Sequence, residues 1–237
     1  MTNPKTMPIQ TLADLRDRLN RAIPDTLPKS VATRARALLA PDPDTPLPQQ
    51  LDDLRTGALS VRIAANTRAD LPAFDTPLAC APGCAFCCLI PEGDGGLITQ
   101  AEAERMHSAL APLAGQPDGR AWHPDACAAL DPETRLCRAY DARPNICRAF
   151  FSFDAAACEI IADGGDADGS AITGDHLDYL ATLAMARAAM GDVPTYALQQ
   201  LTSATIEGAD CATALAAARH DDAELDATCD DFFYDID

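Results

Sequence analysis

The chain has 237 residues with 36 acidic against 18 basic side chains, a formal charge of −18, and 48% apolar but only 5% aromatic residues. So acidic a surface repels nucleic-acid phosphates and anionic lipid, which excludes both as expected partners. The length suffices for one large domain or two small ones, and an alanine-rich, aromatic-poor composition favours helix over sheet.

Residues 8–23 place Ile9, Leu12, Leu15, Leu19 and Ile23 at helical spacing. A second helix is predicted over 28–40, ending at the Pro41-Asp-Pro43-Asp-Thr-Pro46 breaker. A third covers about 49–70, with Leu51, Leu54, Ala58, Val61 and Ala65 on one face. Pro72, Pro77 and Pro82 then keep the chain extended into Cys80-Ala-Pro-Gly-Cys84-Ala-Phe-Cys87-Cys88, where four of ten cysteines fall within nine residues.

Gly93–Gly96 reads as a turn, and Thr99-Gln-Ala-Glu102 as a capping box opening a helix to about Leu113. Residues 115–137 look irregular. Cys127, Cys137, Cys147 and Cys158 follow, with Asp131-Pro132-Glu-Thr as a turn that lets Cys127 and Cys137 face each other across a hairpin-like loop. Asp141 is expected to cap a short helix with Pro144 in its first turn, the helix end helping to keep Cys147 as thiolate. The Asp163–Gly174 stretch reads as a flexible, solvated loop without the spacing of a calcium loop. Two alanine-rich helices are predicted over 175–190 and 194–219, and residues 221–237 form an acidic tail read as a frayed end. Residues 151–237 carry −16 of the charge, so a basic protein is the partner that this face would suit.

The first ten residues hold no apolar run and no stretch reaches a membrane span, so the expected location is cytoplasmic. Thiols stay reduced there, and ten of them point to metal chemistry before disulfides. Thiolates are soft ligands, and Cys80, Cys84, Cys87, Cys88, Cys127, Cys137, Cys147 and Cys158 supply two sets of four. Adjacent Cys87 and Cys88 point different ways, which suits two neighbouring centres better than one. The donors fit zinc or an iron–sulfur cluster ([4Fe–4S]) equally. Arg143 and Arg148 flank Cys147 and are expected to donate to the bound group, whereas Arg135 and Arg138 could equally be solvated. His123 could be a ligand but reads better as an ordinary histidine, as do His107, His176 and His220. Cys211 reads as a core residue and Cys229 as a tail thiol or an extra ligand.

The order Cys80-x3-Cys84-x2-Cys87-Cys88, then Cys137-x2-Tyr140-x2-Arg143-Pro144-x2-Cys147-Arg148-x-Phe150, resembles the YkgJ-type cysteine-cluster family over about residues 78–160. The resemblance implies zinc or iron chelation. Some larger flagellin lysine methylases are similar over the cluster, which implies a modifying enzyme as a second reading. Cys80-x3-Cys84-x2-Cys87 also matches the cluster spacing of radical S-adenosylmethionine enzymes, but those carry it in a β/α barrel, and no strand–helix alternation is present here.

The expected architecture is mainly α, with helices framing an irregular, loop-rich, cysteine-ligated metal core and little or no β-sheet. Its parts are an N-terminal helical segment (1–77), the cysteine core (78–160), a C-terminal helical segment (161–220) and the tail (221–237). The expected function is a metal or cluster carrier, storage or sensing module. The alternative is an iron–sulfur oxidoreductase or protein-modifying enzyme.

Overall fold

A computed structural model describes residues 8–66, 77–90, 95–168, 170–172, 174–234 and 236. The fold is mainly α. Helix α1 (Leu12–Arg21) opens on a reciprocal capping box between Thr11 and Asp14 and buries Leu15 and Leu19. Helix α2 (Lys29–Leu38) buries Val31, Ala32 and Ala35.

The single helix predicted over 49–70 is two helices, α3 (Leu47–Thr56) and α4 (Ala58–Asn66), and positions 67–70 lie outside the described residues. Gly57 separates them in the left-handed region at φ +69. A Cβ there would also stand 2.5 Å from Thr99 Cγ2, so the break is enforced by backbone conformation and by packing together.

The predicted capping box at Thr99 is present in both directions and opens α5 (Gln100–Leu110). Just before it, β1 (Leu97–Thr99) pairs antiparallel with β4 (Thr195–Ala197), Ile98 opposite Tyr196. The short α6 (Asn145–Ala149) leads into β2 (Phe150–Ser152), which pairs with β3 (Ser170–Ile172). Part of the predicted flexible loop over 163–174 is therefore a strand. Helix α7 (Ala155–Ala162) lies between β2 and β3, capped by the Asp154 side chain. All named strands are three-residue antiparallel pairs, and a parallel β/α barrel is not among the described elements.

Helix α8 (Gly174–Met190) follows the predicted bounds closely. The helix predicted over 194–219 instead comprises β4, α9 (Leu198–Ile206) and α10 (Cys211–Ala218). Alanine propensity is uniform along it, but Gly208 at φ +96 turns the chain, and Asp210 caps a fresh helix. The tail is not frayed at its centre: α11 (Glu224–Phe233) buries Leu225, Cys229 and Phe233 against α8.

Two apolar cores result. One gathers α1, α2, α8 and α11 around Tyr179, Leu180, Leu183 and Met185. The other joins α5, α9 and α10 to β1 and β4, with Ile98, Met106, Leu110, Leu201 and Ile206 inside it. No helix among the described residues is long and apolar enough to cross a membrane.

Candidate metal centre

The first cysteine arm curls through two left-handed residues, Gly83 (φ +82) and Ala85 (φ +42), into a 3-10 turn at Phe86–Cys88. For alanine that conformation is uncommon and costs on the order of 1 kcal/mol. The second arm is the expected hairpin. Leu130 bridges Cys137, Asp131 N–H donates to the Leu136 carbonyl, and Arg138 N–H donates to the Ala129 carbonyl. Asp131 Oδ1 accepts from the Thr134 backbone and hydroxyl, holding the turn.

Backbone bonds stitch the two arms together. Cys127 N–H donates to the Cys88 carbonyl at 2.9 Å, Ile90 N–H donates to Asp125, and Leu89 bridges Ala126. Helix α6 brings Cys147, and α7 packs on the 3-10 turn and brings Cys158.

Six of the eight expected cysteines, Cys87, Cys88, Cys127, Cys137, Cys147 and Cys158, line one cavity of about 430 Å³. Cys80 and Cys84 stand outside its lining, Cys80 with its Sγ 3.9 Å from the Ser152 carbonyl. Burial raises the Cys84 thiol pKa, and so do the neighbouring thiols of Cys87, Cys158 and Cys80, against a hydrogen bond from the Phe86 backbone. The thiols of Cys87, Cys158 and Cys80 act on Cys84, and those of Cys127, Cys137 and Cys87 act on Cys147, so Cys87 neighbours both groups.

The expectation that the start of α6 would keep Cys147 as thiolate is overturned. Burial pushes Cys147 well up, and the neighbouring thiols of Cys127, Cys137 and Cys87 add to it, with Arg143 opposing only weakly. A five-residue helix is too short to outweigh that desolvation, and it begins at Pro144 as N-cap, without a side-chain cap from Asp141. Burial likewise raises Cys127 to about 11. Cys88 is raised well above the usual thiol range, first by its hydrogen bond with Cys87 and then by burial.

The arginines divide by their partners. Arg143 lines the cavity with its guanidinium 3.6 Å over the Tyr140 ring, and its buried Nη2 has no hydrogen-bond partner among the described residues. Arg148 donates to the carbonyls of Arg143 and Asp141, which fixes the loop that carries Arg143. Arg138 holds the Pro117 and Ala128 carbonyls, and Arg135 lies over Trp122.

His123 faces Asp125 and does not line the cavity. Cys229 is buried in the first core and raised by burial to about 12, which makes it a core residue instead of a tail thiol or ligand. Cys211, expected in the core, sits half-exposed at the first position of α10. Of the apolar walls, Ile90, Leu130 and Ile146 stand beside the cysteines in sequence, whereas Met106 on α5 and Leu198 on α9 come from elements with no local sequence link to them. Thr202 on α9, with its hydroxyl 3.8 Å from Cys127 Sγ, carries no sequence signal for such a position.

Among the described residues no group of three or more His, Cys, Asp or Glu side chains is gathered to hold a metal ion. The thiols share a cavity, not a point, and closing on an ion takes side-chain rotation. The donor chemistry nonetheless fits a thiophilic metal: soft sulfur ligands, largely apolar walls and the unpartnered Nη2 of Arg143 beside them.

Residues 79–163 match the CxxCxxCC family model. That family is described as a "putative zinc- or iron-chelating domain", and the matched segment contains all eight expected cysteines. The CxxCxxCC match supports metal binding by this segment and leaves both helical flanks outside it. No curated protein and no solved structure matches the chain.

Within the CxxCxxCC segment, α6 is anchored by a buried polar network that reaches Tyr179 and His176 of α8. Glu102, 2% exposed, accepts from Asn145 N–H at 2.7 Å, Thr99 N–H at 3.0 Å and the Tyr179 hydroxyl at 2.9 Å. Asn145 Oδ1 takes the Nδ1–H of His176 at 2.7 Å, and that ring stacks on Tyr179 and meets the edge of Phe232.

Burial lowers the His176 pKa to about 4. An unfolded chain protonates this ring from about 6.5, so stability is intact above that pH and lost as pH falls toward about 4. The loss is on the order of 3 kcal/mol. Urea denaturation of wild type and His176→Gln at pH 7.5 and 4.5 should show the stability difference between them shifting against wild type by about that amount at the lower pH. A pH-independent difference would count against it.

Proposed function

We propose that the chain is a metal-binding module that holds zinc or iron at two adjacent four-thiol sets, acting in metal or cluster carriage, storage or sensing. The sets are Cys88, Cys127, Cys137 and Cys147, and Cys80, Cys84, Cys87 and Cys158. The observation that carries the reading is the convergence of six cysteines, from the 3-10 turn, the hairpin, α6 and α7, on one cavity. Arg143, with its unpartnered Nη2, offsets the charge of the inner thiolates, and Arg148 positions it. A bound metal supplies the charge that lets these thiols give up their protons.

The cavity volume favours a second reading. At about 430 Å³ the space lies in the range of small-molecule pockets, so a cluster there could exchange electrons with an apolar substrate. Among the described residues, Arg143 is the one titratable lining group besides cysteine.

Anaerobic purification followed by metal analysis and an absorption spectrum tests the proposal. About two zinc ions per colourless chain, or iron with a broad band near roughly 400 nm, is the expected result. A reduced chain that retains neither metal, or one that retains both centres after Cys127→Ser and Cys137→Ser are combined, would sink it.

A further inference from the structure

The two four-thiol sets differ in their surroundings. Cys127 belongs to the second apolar core, and Cys88, Cys137 and Cys147 all pack against it. None of Cys80, Cys84, Cys87 and Cys158 does, and Cys80 and Cys87 are exposed. The inner set is held by a backbone bond between Cys127 and Cys88, by the Leu130–Cys137 bridge and by the anchored α6. Arg143, whose Nε donates to the Tyr140 carbonyl and whose Nη2 is unpartnered among the described residues, acts on Cys137 and Cys147 of this set. The outer set rests on one 3-10 turn and α7, whose Ile160 and Ile161 are exposed.

Thiolate exchange with a competing ligand proceeds by stepwise attack, so it requires solvent access and side chains free to leave one at a time. Burial against a packed core and donors to the thiolates slow both. Accordingly, we infer that the centres are unequal: the inner set keeps a resident metal that fixes the hairpin and α6, and the outer set is an exchangeable site that accepts and releases a thiophilic divalent ion such as zinc. This rests on the two-centre reading above and goes beyond it by assigning the labile half.

The test uses the full reduced chain loaded with two equivalents of zinc and mixed with an excess of a chromophoric chelator. Release should be biphasic, one equivalent per phase, with the fast phase leaving about 10- to 100-fold sooner. The double variant Cys80→Ser, Cys84→Ser should fold, bind one zinc and retain only the slow phase. An alkylating agent applied to the once-stripped protein should label Cys80, Cys84 and Cys87 while Cys127 and Cys137 stay protected. A single release phase of two equivalents, or loss of the slow phase in the double variant, overturns the inequality and leaves the metal-binding reading standing. Failure of the wild-type chain to take up zinc at all overturns both.

Discussion

Stripping the metal from the reduced, loaded chain is expected to lower its thermal midpoint by roughly 8–16 °C. The estimate follows from linkage: an ion held at a thousand times its dissociation constant stabilises the native state by about 4 kcal/mol. For a chain of this size each kcal/mol moves the midpoint by about 2–4 °C. The segment that would loosen is the irregular one, where the hairpin and α6 are joined by few backbone bonds. Loading should also release protons, because Cys88, Cys127, Cys137 and Cys147 all have raised thiol pKa values in the metal-free fold. Thiols raised in this way hold their protons more tightly and must give them up to bind. Apparent affinity therefore rises with pH, up to about tenfold per unit for each proton displaced. Calorimetry in buffers of different ionisation enthalpy would count those protons. A midpoint indifferent to chelator, with no proton release on loading, would refute the structural role of the metal.

Glu102→Ala should be nearly as damaging, at about 4 kcal/mol. The carboxylate accepts from two backbone N–H groups and one phenol, all within a buried site. Truncation leaves the two N–H groups without partners, while the Tyr179 hydroxyl keeps the Leu97 carbonyl, and each orphaned buried group costs about 1–3 kcal/mol. Burial raises the Glu102 pKa, so its stabilising acceptor role comes against a desolvation cost. Glu102→Gln keeps the shape and one acceptor oxygen but turns an amide toward a donor, and should cost less than half as much. Chemical denaturation of both variants checks this. The Ala variant should also weaken metal retention at Cys147, because Asn145 on the same helix loses its anchor. Equal stability of wild type and Glu102→Ala would show that the network contributes nothing net.

Much of this is legible in the sequence. Local chemistry with a short range announces itself: the Thr99–Glu102 box, the Asp131 turn and the α8 bounds each depend on residues a few positions apart. The cysteines announce themselves because soft ligands repeat for few other reasons, and six of the eight line one cavity.

What stayed hidden depends on distant neighbours. Gly57 breaks a helix partly because Thr99 crowds it from 42 positions away. The α11 tail reads as solvated from its charge, yet Leu225, Cys229 and Phe233 fall on one helical face that α8 covers. Glu102 was visible as a cap for α5, but its bond to Asn145 spans 43 residues and leaves no local trace. Cys147 was misjudged because the helix end was weighed and the burial was not.

The stitching of the arms also sets an order of assembly during synthesis. Cys80 through Cys88 leave the ribosome first, and Cys158 trails Cys88 by 70 residues. At about 5–20 residues per second, the early thiols wait roughly 4–14 s before the outer set has its fourth member. The inner set is completed eleven residues sooner, when Cys147 emerges. On the two-centre reading proposed above, the nascent chain passes through a stage in which one set of four is complete and the other is three thiols open to solvent. That interval is when oxidation or capture by a foreign ion could most easily divert the chain.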